Sequence, residues 1–372
     1  MRVFQWLVVA GALVSGGSAV ASEPPALFTL ADPKGDDHGD GALVFPLRED
    51  LQPGDLDLVS VTARPDGEGT EFEVAFAKAI SRPNAREIDS VGGTLEKVAK
   101  LGFYTFNVDL YIDTDRQPNS GITSMLPGRL AEVDPAFAWE KAICLTPQPF
   151  DARSALRRMT RSALLQELKG GAGKPSKGTL DERVFFPTRA RVVNHAVRFT
   201  VPSSFLGGRA QANWAYVVVL TGADLRQRLD VQSFGLFVNA DNTGSLAVIP
   251  IAGGPTDVTF GGVREGDPYH PPIVDLIAPL GRTQEEILRD DDPKAGRPVR
   301  LPGVVPEDVA AGRTTLPSVR PESPAPGTPA PGTPAPQKPS PEASAPGTPA
   351  PGLPAPGTPK APVSATPATP GQ

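Results

Sequence analysis

Hydrophobic and polar residues alternate with a period of two in several short stretches of this chain. Residues 55–61 read D-L-D-L-V-S-V, residues 71–77 read E-F-E-V-A-F-A, and residues 106–113 alternate without interruption. Residues 191–201, 214–220 and 233–238 carry a similar pattern, and Gly, Pro and Asp often stand between the stretches. Successive side chains of a strand point to opposite faces, so each stretch predicts a strand with one apolar face. Short strands separated by turn residues predict a mainly β fold, an antiparallel β-sandwich.

A different period marks one helix. Leu156, Met159, Ala163, Leu164 and Leu168 recur mostly at three- and four-residue steps, with Asp151 placed to cap the start and Gly170-Gly171 to end it. Arg153, Arg157, Arg158 and Arg161 fall on its other side. A helix packed on a sheet with a solvated basic face is expected, followed by a loop over 169–179.

The two ends follow other rules. After Met1-Arg2 comes an apolar run broken only by Gln5 and then small residues up to Ala19-Val20-Ala21, the pattern of a secretory signal peptide over residues 1–21. The run stops at Ser15-Gly16-Gly17-Ser18, short of the roughly 20 apolar residues that a membrane span needs. An extracytoplasmic protein (secreted, periplasmic or at the cell surface) without an integral membrane span is expected. Nearly half of the 44 prolines lie from Pro302 onward, and from Pro321 the sequence cycles through Ala-Pro-Gly-Thr-Pro. Such a segment has almost no apolar side chain larger than Ala to offset its ordering entropy, which predicts a disordered, extended tail. The globular module is placed at 22–290 and the Pro-rich tail at 291–372.

Composition then removes whole classes of function. Cys144 is the only cysteine, so no intramolecular disulfide forms; its apolar neighbours predict a buried structural thiol. A net charge of −6 speaks against nucleic acid as a partner, whose footprint is a clustered basic face on a basic domain. Three dispersed histidines and one cysteine give no zinc spacing. His195, between Val193 and Val197, reads as a core histidine. No G-x-S-x-G elbow, H-E-x-x-H helix or phosphate-binding loop is present, and no enzymatic machinery is recognised.

Candidate chemistry concentrates in acidic turns. On the stretch 106–115, Phe106, Val108, Leu110 and Ile112 share one face, while Asn107, Asp109, Tyr111, Asp113 and Asp115 share the other. At about 3.3 Å per residue, Asp113 and Asp115 stand roughly 7 Å apart at Cα, near enough to hold one ion, whereas Asp109 is about 13 Å from Asp113. Asp113, Asp115 and Asn119 are therefore one candidate calcium site. Asp32, Asp36 and Asp37, followed by Asp40 and interleaved with Gly35, Gly39 and Gly41, are a second. Asp/Gly turns whose carboxylates cap backbone amides are the competing reading of both. Trp139 and Tyr111, with Asp109 beside the latter, are candidate contacts for a sugar ring. Trp214 and Tyr216 share a face with Val218 and Leu220 and read as core.

Four stretches taken in order carry a resemblance. They are Asp32-Pro33-Lys34-Gly35-Asp36-Asp37-His38-Gly39; residues 108–115 with Leu126-Pro127-Gly128-Arg129 and Ala138-Trp139-Glu140; Val201-Pro202-Ser203 with Trp214-Ala215-Tyr216; and Phe260-Gly261-Gly262 with residues 274–279 and Gln284-Glu285. The set resembles the C-terminal binding module of glucodextranase over about residues 28–288. The resemblance implies a carbohydrate-binding-like sandwich, related in architecture to DOMON-type sandwiches, with polysaccharide or cell-envelope glycan as partner and no catalytic role. The glycosidase domain of the parent enzymes is absent, and the basic helix looks like an insertion. A structural or protein-interaction module and, behind it, a glycoside hydrolase are the rival readings.

Overall fold

The computed structural model describes residues 23–86, 93–169, 180–225, 246–265 and 267–315, with backbone alone for 161–169. The strands are β1 (Phe28–Ala31), β2 (Leu58–Asp66), β3 (Gly69–Phe76), β4 (Phe106–Asp113), β5 (Ala131–Val133), β6 (Lys141–Leu145), β7 (Val184–Phe185), β8 (Arg191–Val193), β9 (Ala196–Val201), β10 (Ala215–Gly222), β11 (Ile273–Leu276) and β12 (Val299–Leu301). The helices are α1 (Leu95–Val98), α2 (Pro149–Lys169), α3 (Leu180–Arg183), α4 (Ser203–Leu206), α5 (Gln284–Leu288) and α6 (Pro306–Ala310). A 3₁₀ turn spans Pro135–Phe137.

Among the described residues, two five-stranded sheets form the sandwich. The first runs β1-β2-β3-β9-β8 and the second β11-β10-β4-β6-β7, with β12-β5 as a separate pair. Pairing is antiparallel throughout the first sheet. In the second only β6 and β7 run parallel. The main core lies between the sheets: Leu30, Val61, Phe72 and Val74 from one meet Phe106, Val108, Leu110, Val218 and Leu220 from the other. The mainly β sandwich that the period-two pattern predicts is therefore the fold.

The other face of the second sheet is also covered. Tyr111, Cys144, Val217 and Val219 pack there with Phe137, Trp139, Ala155 of α2, Ile287 of α5 and Val299 of β12. Every residue of β4 and β10 is consequently buried. A sheet buried on both faces reads as a fuller hydrophobic run than a half-solvated one. In β4 the alternation survives only because its outer positions hold buried polar groups.

Several expectations change in detail. Residues 191–201 are a hairpin and not one strand: Asn194 takes a left-handed backbone (φ 53°) in the turn between β8 and β9. Asn suits that conformation, and a two-residue turn reverses the chain there. His195 is exposed in this turn instead of buried in the core. Asp151 sits in the first turn of α2 and not before it. Arg153 and Arg157 of α2 both pair with Asp181, so part of the basic face is neutralised within the chain. The long helix has several short companions, and β12 and α6 carry the folded part past residue 290. The signal peptide, the helix stop at Gly170-Gly171, the rest of the loop after it, the strand at 233–238 and the repetitive tail lie outside the described residues.

Candidate cation sites and a polar cleft

The segment after β1 turns back over the seam between the sheets. Asp32 donates its backbone N–H to Val59 O (2.8 Å), and Gly39 donates to Val274 O (2.9 Å), so the segment touches both β2 and β11. Gly39 has φ +59°, and a Cβ there would meet Ile273 O at 3.0 Å, which explains why this crossing needs glycine. Buried Gln284 bolts the turn down: its Nε2 donates to Asp36 O (2.6 Å) and Gly39 O (2.9 Å), while its Oε1 accepts from Leu276 N (2.7 Å).

This fold brings Asp32 and Asp36 together with Asp275 of β11, one carboxylate oxygen from each lying within 4.8 Å of the others. Asp275 is fully buried, and its Oδ2 accepts from Leu58 N (2.7 Å). Among the described residues, no N–H or hydroxyl group donates to Asp275 Oδ1, either oxygen of Asp32, or Asp36 Oδ1, although all four atoms are shut off from solvent, and the Asp32 and Asp275 carboxyls lie within hydrogen-bonding reach of each other. Burial, then repulsion from Asp36, pushes Asp32 up to about 8. Burial also pushes Asp36 up to about 6, and burial with the charges of Asp32 and Asp36 holds Asp275 well above the ordinary carboxylate range. Asp37, expected in the same site, points elsewhere: its Oδ2 accepts from Gly54 N (2.6 Å), the turn-capping role.

The second expected site assembles differently. Asp113 and Asp115 meet Glu140, again with one oxygen each within 4.8 Å. Most of these oxygens are already engaged. Asp113 Oδ1 accepts from Arg116 N (2.6 Å), Asp115 Oδ1 from Gln117 N (2.8 Å) and Ser120 Oγ (2.9 Å), and Glu140 Oε2 from Thr114 N (2.8 Å). The Arg116 guanidinium stands 3.9 Å from the remaining Asp113 oxygen. Asn119 is exposed, with a left-handed backbone (φ 63°) and its N–H on Pro135 O (2.8 Å). The arrangement is a capped turn carrying one unmatched oxygen.

The expected sugar-facing residues are interior. Trp139 is 4 % exposed, its Nε1 donates to Ser124 O (3.1 Å), and its ring lies 5.5 Å from that of Tyr111. Tyr111 donates from its hydroxyl to Asp109 Oδ2 (3.2 Å) and accepts from Leu126 N (2.9 Å). Asp109 holds the fully buried Arg129 in a two-pronged pair, at 2.6 Å from Nε and 3.1 Å from Nη2. The second layer over β4 turns the expected stacking face into core.

Open polar surface occurs instead where β4 begins and β10 ends. A cleft of about 330 Å³ is lined by Arg48, Asp50, Arg86, Tyr104 and Asp224, among others. Arg48 and Asp50 form a parallel pair at 2.6 and 2.8 Å. The Arg48 contact holds the Asp50 carboxyl below its ordinary value, and burial with Asp50 nearby pushes the Tyr104 hydroxyl up to about 12.

The acidic cluster fixes a pH dependence. Its groups have raised values in the folded chain, so the protonated form is favoured by folding. The stabilisation is complete below the ordinary value of 3.8 and is lost as pH rises through about 6 to 8. In a chelator, the melting temperature should fall between pH 5 and pH 8. Calorimetric scans giving equal midpoints at both values would contradict this account of the cluster.

Among the described residues, no helix is long and apolar enough to cross a membrane. No curated protein shows a significant match to the chain. Residues 27–303, nearly all of the folded part, match the family of the SLH-like C-terminal binding module of glucodextranase. This match covers well over half of the sequence, and the chain belongs to that family of binding modules.

Proposed function

We propose that this chain is a non-catalytic module that binds polysaccharide or cell-envelope glycan outside the cytoplasm, using the cleft beside Arg48 and Asp50. The observation that carries the reading is membership of a binding-module family over residues 27–303. The chemistry of the cleft supports it. Planar guanidinium and carboxylate groups offer paired acceptors and donors to neighbouring hydroxyls, which is what a sugar ring presents. Carboxylates outnumber guanidiniums in the lining, with Glu49, Asp50, Asp224 and Asp257 against Arg48 and Arg86, which favours a neutral glycan over a polyanion. Glycoside cleavage needs two carboxyls facing a sugar from opposite sides with room between them. The atoms of the Asp32–Asp36–Asp275 cluster are closed to solvent and lie too close together for that.

Affinity electrophoresis of the full chain in gels containing α-glucans or cell-wall polysaccharides tests the proposal. Retardation by at least one polymer is expected. Arg86→Ala, which alters an exposed side chain, and Asp50→Asn should each weaken retention about tenfold, the effect of losing one good polar contact. Retention unchanged in both variants would move the site away from this cleft. Absence of retention on every polymer, with a protein partner co-purifying, would replace glycan by a protein-interaction role.

A further inference from the structure

We infer that Asp32, Asp36 and Asp275 form a calcium site that ties the segment following the first strand to β11, an edge strand of the opposite sheet. Three observations converge on it. The carboxylates come from distant parts of the chain yet place one oxygen each within 4.8 Å of the others. Asp275 is fully buried, and among the described residues no N–H or hydroxyl group donates to its Oδ1, to either oxygen of Asp32 or to Oδ1 of Asp36. Asp57, which draws Gly35 N onto its Oδ2 (2.7 Å), leaves its other buried oxygen without a donor as well. Its charge acts on both Asp32 and Asp36.

Unmatched buried carboxylate oxygens are costly, and native chains normally give such atoms a partner. Turn capping does not supply one here, although it does for Asp37 in the same segment. A cation does. Every available ligand is a carboxylate oxygen, which selects a hard ion. His38, the nearest imidazole in sequence, is engaged with Glu285 at 2.9 Å. Calcium takes six to eight oxygens in flexible geometry, whereas magnesium demands a near-ideal octahedron and sheds water reluctantly. Ligands supplied by an irregular segment and a strand edge suit the larger ion, with water completing the shell. The ion bridges the two sheets at a seam where Leu58 N of β2 already donates to Asp275 Oδ2 of β11. The inference stands apart from the glycan reading, because it concerns stability and is tested with calcium alone.

The test is calorimetric titration of the full chain with calcium chloride after chelator treatment, paired with thermal melting with and without the ion. Wild type should bind calcium and gain about 5 °C or more at a hundredfold excess over the dissociation constant. Asp36→Asn should weaken binding at least tenfold, and Asp275→Asn should abolish the thermal gain. In chelator, Asp275→Asn should melt no lower than wild type, because the amide is uncharged, fits the space of the carboxyl and can still accept from Leu58 N. Asp115→Asn, in the other acidic cluster, should keep the full calcium response. A wild type indifferent to calcium would overturn the inference. So would an undiminished response in both Asp36→Asn and Asp275→Asn, or equal stabilisation by magnesium. Asp36 lies on the turn and not in a strand, so its variant decides the matter if Asp275→Asn fails to fold.

Discussion

Arg129→Met is expected to destabilise the chain by about 3–5 kcal/mol, lowering its melting temperature by roughly 10 °C. The guanidinium is fully buried, paired with Asp109 through two hydrogen bonds, and donates to Pro127 O at 2.9 Å. Removing it strands the Asp109 carboxylate in an apolar layer, where an uncompensated charge is far more costly than the pair itself. Asp109→Leu combined with Arg129→Met removes both charges and should recover much of the loss. Denaturant unfolding of wild type, single and double variants measures this directly. If Asp109 served a ligand instead, its replacement would weaken binding and leave the unfolding midpoint in place.

Trp139→Ala should cost a similar amount, about 3–5 kcal/mol, the usual effect of deleting a large buried aromatic ring. The ring packs against Tyr111 beneath the second layer and donates to Ser124 O, so the deletion leaves a cavity and removes that hydrogen bond. Thermal melting should show the loss, while retention of the folded fraction on glycan should stay at the wild-type level. The opposite outcome, normal melting with lost retention, would return Trp139 to a sugar-stacking role.

Much of the fold was legible because the longer strands alternate. The predicted strand at 106–113 coincides with β4, and the pattern also found β3 and β10 to within a few residues. Short elements escaped. β5, β7 and β12 are two or three residues long, too few to show any period, and the three residues of β8 merge with β9 in one predicted strand. The burial of β4 on both faces was hidden because the covering layer is assembled from pieces remote in sequence: a 3₁₀ turn, α2, α5 and β12. Asp109, Tyr111 and Trp139 therefore read as a polar, sugar-facing surface when they are the polar interior of a second core.

The acidic clusters were half visible for the same reason. Local spacing finds Asp113 beside Asp115 and Asp32 near Asp36, but the third carboxylate of each group, Glu140 or Asp275, arrives from another strand or its edge. One signal did point to Asp275: it is the lone charge in an otherwise apolar run, Ile273-Val274-Asp275-Leu276-Ile277. A charge in such a run is rarely left without a partner. Spacing alone does not separate Asp36 from Asp37. The position of Gly54 N does, by taking Asp37 for a turn.

A module that holds a glycan without transforming it must both retain the polymer and leave it intact, and one measurement addresses both. The full chain is incubated with the polysaccharide that retards it most, and the bound polymer is recovered and sized by chromatography. Polymer that is retained by the protein and recovered at its original length is the predicted result. Shortened chains or new reducing ends that increase with incubation time would contradict it.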